Sequence, residues 1–159
     1  MDHDILVSGG GIAGLTATAA FAQAGFNVIC VDPAKPVTVR DAQGADLRST
    51  AFLQPAHALL EEVGLWTRLA PHAQPLQIMR IIDAGGPEPE ARMSKEFDAA
   101  DISDHPFGWN LPNWLLRREM AAHLETLPNV TYKTGVGART LFTRTAEARV
   151  GLSDSTRVS

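Results

Sequence analysis

The stretch of sequence that decides the fold is Ile5-Leu6-Val7-Ser8-Gly9-Gly10-Gly11-Ile12-Ala13-Gly14. An aliphatic run that ends in glycines is typical of a buried parallel strand followed by a tight turn. Apolar residues then recur at helical spacing as far as Gly25, which favours the end of a helix there. A second buried strand is predicted at residues 27–31. Together these elements predict a compact βαβ unit.

Three glycines of this stretch match the G-x-G-x-x-G spacing of dinucleotide-binding loops: Gly9, Gly11 and Gly14. The first permits the tight turn, the second lets a pyrophosphate approach the backbone, and the third lets the helix pack against the strand. A helix that starts near Ile12 and Ala13 presents free N–H groups and its positive dipole end to that pyrophosphate. We therefore predict a diphosphate site that needs no basic side chain. The alternative is an ordinary strand-to-helix turn.

Asp32 is the second component of the predicted site. It stands at the end of the second predicted strand, about 20 residues beyond the glycines, where a carboxylate hydrogen-bonds a ribose hydroxyl. Its negative charge argues against a 2′-phosphate at that position. The alternative is a solvated strand end beside Pro33.

The rest of the chain predicts a mixed α/β pattern. Residues 33–49 are rich in proline, charged and small polar residues, which indicates an irregular segment instead of the next helix of a simple alternation. The further elements predicted from periodicity are a helix at 56–63, strands at 76–82 and 93–97 separated by a turn at 84–87, a helix at 114–127 with Asn113 as N-cap, a strand at 130–132, and a hairpin from 148 to the C-terminus.

Composition excludes several classes of function. The 159 residues are 45% hydrophobic and 20% charged, with a net charge of -4, which is typical of a globular domain and argues against a nucleic-acid partner. The single cysteine, Cys30, lies in an apolar run and is interpreted as a buried strand residue. The five histidines lack the spacing of metal ligands, so no metal site is predicted. No basic leader and no membrane span are recognised.

Four segments of the chain carry a family resemblance: residues 7–15, 46–54, 59–66 and 113–124, the last with the pattern Arg-x-x-Met-x-x-x-Leu that starts at Arg117. In combination they resemble the FAD-dependent aromatic-ring hydroxylases of the p-hydroxybenzoate-hydroxylase type, nearest to the branch that hydroxylates ubiquinone precursors. Two positions depart from the family, which more often has Glu where Asp32 stands and Leu where Met120 stands. Both changes keep the chemical character of the side chain.

The resemblance implies a fold and a division of the chain. The fold is α/β: a Rossmann-like FAD-binding domain of the glutathione-reductase type at residues 1–75 and 113–159, with the beginning of a β-sheet substrate domain at residues 76–112. The chain would be the N-terminal part of a longer protein. The family's second flavin signature, a Gly-Asp motif, would follow after residue 159.

The resemblance also assigns the cofactor and its contacts. FAD is the implied cofactor and NAD(P)H the implied co-substrate. Arg48 would contact the flavin phosphate or ribityl region, Gln54 would lie near the same contacts, and Arg117 would reach the adenosine–pyrophosphate portion. Each arginine by itself is more often a solvated surface residue.

The implied activity is that of a monooxygenase that uses NAD(P)H and oxygen to hydroxylate a small aromatic or prenylated phenol, in ubiquinone biosynthesis. The cofactor performs the chemistry, so no catalytic side chain is assigned. A cytoplasmic location, compatible with peripheral membrane contact, is expected, and the oligomeric state is left open. Two alternative functions are considered. One is a non-catalytic dinucleotide-binding module, and the other is an NAD-dependent dehydrogenase, which the irregular segment 33–49 disfavours.

Overall fold

The computed structural model describes residues 3–87 and 90–159. In this part of the chain the strands are β1 (Ile5–Ser8), β2 (Val28–Asp32), β3 (Ser49–Leu53), β4 (Gln74–Leu76), β5 (Ile78–Asp83), β6 (Met93–Asp98), β7 (Gly108–Pro112), β8 (Val130–Thr134), β9 (Ala138–Thr143), β10 (Ala148–Leu152) and β11 (Arg157–Val158). The α-helices are α1 (Ile12–Gln23), α2 (Gln54–Glu62), α3 (Trp66–Leu69) and α4 (Asn113–Leu124). Residues 1, 2, 88 and 89, which fall inside the predicted domain ranges, lie outside the described residues.

The predicted βαβ unit is confirmed. Strand β1 pairs in parallel with β2, and Val7 lies opposite Cys30. Helix α1 connects them and ends shortly before Gly25, whose φ of +92° favours glycine at the end of a helix. The apolar residues of β2 are buried, Cys30 included, because both faces of this strand are covered.

A three-stranded parallel sheet in the order β1-β2-β8 forms the centre of this unit. Helices α1 and α4 cover one face and contribute completely buried apolar side chains, among them Leu15, Leu116 and Met120. Burying a side chain of this size stabilises the folded state by about 1.5–3 kcal/mol. The sheet and the two helices therefore hold the β1–α1 loop in a fixed place.

The opposite face of the parallel sheet is covered by a second sheet in the order β11-β10-β9. Its inward side chains, Val150, Leu152 and Val158, pack against Ile29 and Val31 of β2. The predicted C-terminal hairpin is confirmed as the antiparallel pair β10 and β11. Strand β9 was not predicted, because all of its residues are exposed and its sequence lacks an alternating apolar pattern.

The segment between β2 and α4 forms two further antiparallel sheets, one in the order β3-β7-β4 and one of β5 with β6. The irregular segment 33–49 is confirmed up to the start of β3, a strand that was not predicted. The strand predicted at 76–82 is confirmed from Ile78 onward as β5, whereas Leu76 belongs to β4. The chain changes partner at Gln77, so β4 pairs with β7 whereas β5 pairs with β6. An apolar run does not reveal such a change of partner. The strand predicted at 93–97 is confirmed as β6.

Helices α2 and α4 correspond to the two predicted amphipathic helices, and α3 is an additional short helix. The prediction that Asn113 caps α4 is wrong, because Pro112 occupies the N-cap position and Asn113 is the first helical residue. The Asn113 side chain is buried and bonds to Asp46 and Thr50 instead of to the helix backbone. Within residues 3–87 and 90–159, no helix has both the length and the hydrophobicity needed to cross a membrane.

Candidate functional site

The glycine loop lies between the carboxyl end of β1 and the first turn of α1. Gly9 adopts a φ of +120°, which favours glycine, and its N–H donates to the Val31 carbonyl at 2.8 Å. A Cβ atom at Gly14 would overlap the carbonyl oxygen of Gly9. The loop is therefore tied to β2, and α1 packs so closely against it that only glycine fits at position 14.

The first turn of α1 has no capping side chain. Its N-cap is Gly11, and apart from its chain neighbours no described residue comes within 4 Å of the place that a Cβ atom at Gly11 would take. The turn also contains no acidic residue. Because the first N–H groups of a helix have no acceptor within the helix, the amides of Ile12 and Ala13 can bind an anion that approaches over Gly11.

Asp32 holds the loop from the side of β2. It is the last residue of that strand, as predicted. Its Oδ2 atom accepts a hydrogen bond of 2.6 Å from the Gly10 N–H, and its Oδ1 atom accepts one of 2.7 Å from the Ala34 N–H. Such charge-assisted bonds are stronger than neutral ones. The carboxylate thus fixes the loop relative to the segment that follows β2.

Tyr132 of β8 lies directly beside the loop and was not recognised from the sequence as a site residue. Its hydroxyl oxygen is 2.6 Å from the position that a Cβ atom at Gly10 would take. Among the described residues this oxygen has no hydrogen-bond partner, although it is shielded from solvent. Burial, together with the neighbouring Cys30 and Asp32, raises the pKa of Tyr132 to about 12. The hydroxyl is therefore a neutral donor at physiological pH.

Arg117, which lies on α4, interacts electrostatically with this hydroxyl. The positive charge of its guanidinium lowers the pKa of Tyr132, whereas burial raises it. The Arg117 Nε atom is also buried without a hydrogen-bond partner among the described residues. The predicted site residues Asp32 and Arg117 thus both affect the ionisation of Tyr132, a residue that the sequence predicted only as part of a strand.

Arg48 lies in a different network, at the start of α4. Its guanidinium donates to both carboxylate oxygens of Asp46, at 2.9 and 2.8 Å, and the Asn113 amide donates to the same carboxylate at 3.0 Å. These bonds hold the pKa of Asp46 well below its usual range. The Arg48 side chain remains 83% exposed. Asp46 therefore orients the guanidinium without removing it from solvent.

Gln54 is the first residue of α2. Its Nε2 atom donates to the Pro106 carbonyl at 3.0 Å and to the Ser103 hydroxyl at 3.4 Å. These bonds connect α2 to the segment that precedes β7. The structure therefore ties Gln54 to a different part of the chain from the loop that Asp32 holds.

The glycine loop combines a carboxylate, Asp32, bound to the Gly10 amide with free amides at the start of α1. A sequence match over nearly the whole chain accompanies this arrangement. Residues 2–155 match the family model described as FAD binding domain. The chain belongs to this FAD-binding domain family.

One curated relative is the ubiquinone hydroxylase UbiL of Rhodospirillum rubrum. It is 32% identical to this FAD-binding domain over 128 residues, which are 80% of this chain and 28% of UbiL. The match therefore covers less than a third of the length of that relative.

Solved structures share the fold. The p-nitrophenol 4-monooxygenase PnpA of Pseudomonas putida has a TM-score of 0.75 at 18% identity, over 99% of this chain and 38% of PnpA. The flavin-dependent monooxygenase PieE, solved with FAD and substrate, has a TM-score of 0.74 at 20% identity, over 99% of this chain and 29% of PieE. The predicted resemblance to FAD-dependent hydroxylases is confirmed, and the fold is that of a flavoprotein monooxygenase FAD-binding domain.

Proposed function

We propose that this chain is the FAD-binding part of a monooxygenase that hydroxylates the aromatic ring of a small phenol. The proposal rests on the hydrogen bond between the Gly10 amide and the Asp32 carboxylate. This bond lies beside the start of α1, whose first amides have no capping side chain. Family membership supports FAD as the dinucleotide, and the names of UbiL, PnpA and PieE support hydroxylation.

The loop fits the diphosphate of FAD. Space is open over Gly11, and a helix end with free N–H groups stabilises phosphate oxygens without a positive side chain. Asp32 lies at the strand end where a ribose hydroxyl could donate to its carboxylate. We assign the adenosine-diphosphate half of the cofactor to the following residues: Gly9, Gly11, Ile12, Ala13, Gly14, Asp32 and Arg117.

We assign the flavin side of the cofactor to Arg48 and Gln54. Arg48 is exposed and its direction is set by Asp46, so it can meet a phosphate or ribityl oxygen with little loss of side-chain entropy. Gln54 is held by the carbonyl of Pro106, which leaves its own side-chain oxygen free to accept a hydrogen bond. Both assignments rest on the family resemblance and on these local contacts.

FAD, when bound, supplies the electron-transfer and oxygen-activating chemistry, which amino-acid side chains lack. The residues of this chain bind and orient its adenosine end. We further propose that the fold is of the glutathione-reductase type, with residues 1–75 and 113–159 in the FAD-binding domain and residues 76–112 in the substrate domain. NAD(P)H is the proposed reductant, and a prenylated phenol of ubiquinone biosynthesis the proposed substrate class, in the cytoplasm.

Calorimetric titration of the purified chain with FAD and with NAD tests the cofactor. FAD should bind and NAD should bind far more weakly; equal binding would favour a dehydrogenase. Oxygen consumption with NADPH and a prenylated phenol, compared with NADPH alone, tests the activity in a protein that extends this domain. Binding of FAD without any oxygen consumption in that longer protein would favour a non-catalytic dinucleotide module.

A further inference from the structure

We propose that Tyr132 is an additional binding residue of the dinucleotide site, whose hydroxyl donates a hydrogen bond, directly or through one water, to the diphosphate or the adjoining ribose. This inference rests on the proposed binding of FAD. It adds a side chain from the third strand of the parallel sheet to a site otherwise built from β1, β2, α1 and α4.

The position of Tyr132 is the first argument. Strand β8 places it opposite Cys30 in β2, with its ring packed among the apolar side chains of α1 and α4. The hydroxyl reaches the glycine loop at Gly10, beside the Asp32 side chain. Tyr132 therefore touches the part of the loop that lies between the diphosphate-binding helix end and the carboxylate proposed to bind the ribose.

The unsatisfied hydroxyl is the second argument. A buried polar atom without a hydrogen-bond partner is unfavourable, and folded proteins rarely keep one without a reason. A phenylalanine would fill the same space among the helices without that cost. Packing explains the ring of Tyr132 but not its oxygen, so the oxygen is expected to gain a partner when the site is filled.

Arg117, assigned above to the same half of the cofactor, is the third argument. Its Nε atom is buried and has no hydrogen-bond partner among the described residues, and its positive charge lowers the pKa of the Tyr132 hydroxyl. Asp32, the adjacent acceptor, already accepts from Gly10 and Ala34. Two buried hydrogen-bond donors without acceptors, both assigned to this site, match a ligand rich in acceptor oxygens, such as a diphosphate with its ribose. One ordered water could bridge the shielded hydroxyl to such an oxygen.

The test compares the wild-type chain with Tyr132→Phe, using ADP and FAD as separate probes in calorimetric titrations. Loss of one hydrogen bond should weaken both ligands by the same factor of about ten, which corresponds to about 1.4 kcal/mol. The thermal midpoint of the ligand-free chain should be unchanged or higher, since the hydroxyl has no partner there. The matched control is Thr131→Val, which removes a hydroxyl from the opposite face of the same strand and should leave both affinities unchanged.

Three other outcomes would contradict the inference, and the measurements distinguish them from one another. Equal affinities of wild type and Tyr132→Phe would refute it while leaving the proposed function intact. A lower thermal midpoint of the ligand-free variant would assign the hydroxyl a structural role instead. Failure of the wild-type chain to bind either ADP or FAD would refute both the proposed function and this inference.

Discussion

The hydroxyl oxygen of Tyr132 lies 2.6 Å from the point that a Cβ atom at Gly10 would occupy. Non-bonded atoms do not approach so closely, so a side chain at position 10 must displace either the loop or the tyrosine ring. The Gly10 N–H also donates to Asp32, and a displaced loop would lengthen that bond. Position 10 is one of the unrestricted positions of the G-x-G-x-x-G pattern, yet here a neighbouring strand restricts it to glycine.

Gly10→Ala should therefore lower the free energy of unfolding by about 1–3 kcal/mol, as overpacking does elsewhere. In a Tyr132→Phe background the same substitution should cost less, because the nearest obstructing atom is absent. Relief should be partial, since Asp32 Cβ and a ring carbon of Tyr132 remain at 3.1 and 3.2 Å. Urea unfolding of the two single variants and the double variant measures this coupling.

Gly11→Ala is the matched control for that cycle. Its φ of -75° suits alanine, and apart from its chain neighbours no described residue lies within 4 Å of the new Cβ, so the ligand-free stability should change little. Identical losses for Gly10→Ala in both backgrounds would show that Tyr132 does not restrict the loop.

Asp32→Asn should weaken ADP binding by about 10- to 100-fold. The substitution removes the charge that strengthens the bond to the Gly10 amide and the proposed bond to the ribose, and hydrogen bonds to charged groups contribute about 1.5–3 kcal/mol. Asp4→Asn is the control. Asp4 also accepts from a backbone amide, that of Asn27, but at the other end of β1. A comparable loss of affinity in both variants would contradict the assignment of Asp32 to the site.

The ionisation of Tyr132 can be followed directly, because it is the only tyrosine in the sequence. Its phenol should titrate with a pKa of about 12 in the folded chain, instead of the ordinary tyrosine value of 10.0. The folded state then holds its proton more tightly than the unfolded state, so this group should leave stability unaffected below pH 10 and reduce it as the pH rises towards 12. Ultraviolet difference absorbance of tyrosinate measures the titration, and a midpoint near 10 in the folded chain would contradict the burial of the hydroxyl.

Asn113→Ala should lower the free energy of unfolding by about 1–3 kcal/mol. The buried Asn113 side chain accepts from the Thr50 hydroxyl at 2.7 Å and donates to Asp46, so it joins β3, the segment that carries Arg48, and α4. Its loss leaves the Thr50 hydroxyl without this acceptor. Asn27→Ala, at an exposed position, should cost much less in the same urea titration. Equal costs would show that the Asn113 network does not stabilise the fold.

Much of this structure could be predicted because the decisive signals are local. The glycines at 9, 11 and 14 specify a turn and a close helix approach within a few residues. The apolar run before Asp32 specifies a buried strand wherever its partners lie. Strands β3, β7 and β9 escaped prediction because their sequences alternate poorly. Asn113 was wrongly assigned as a helix cap because a polar residue before a helix has the same local appearance whether it caps the helix or bonds to a distant carboxylate.

By itself, the sequence determined the βαβ unit, the glycine loop, the place of Asp32 at the end of β2 and, through its resemblance, the FAD-binding family. Only the tertiary structure decided which side chains meet the loop. Tyr132 is 122 positions from Gly10 in sequence. The pairing of β8 with β2 brings its hydroxyl to the loop. Helix α4 supplies Arg117, whose positive charge acts on that hydroxyl. Such contacts depend on the packing of elements that are far apart in the chain, and no local pattern of residue types encodes them.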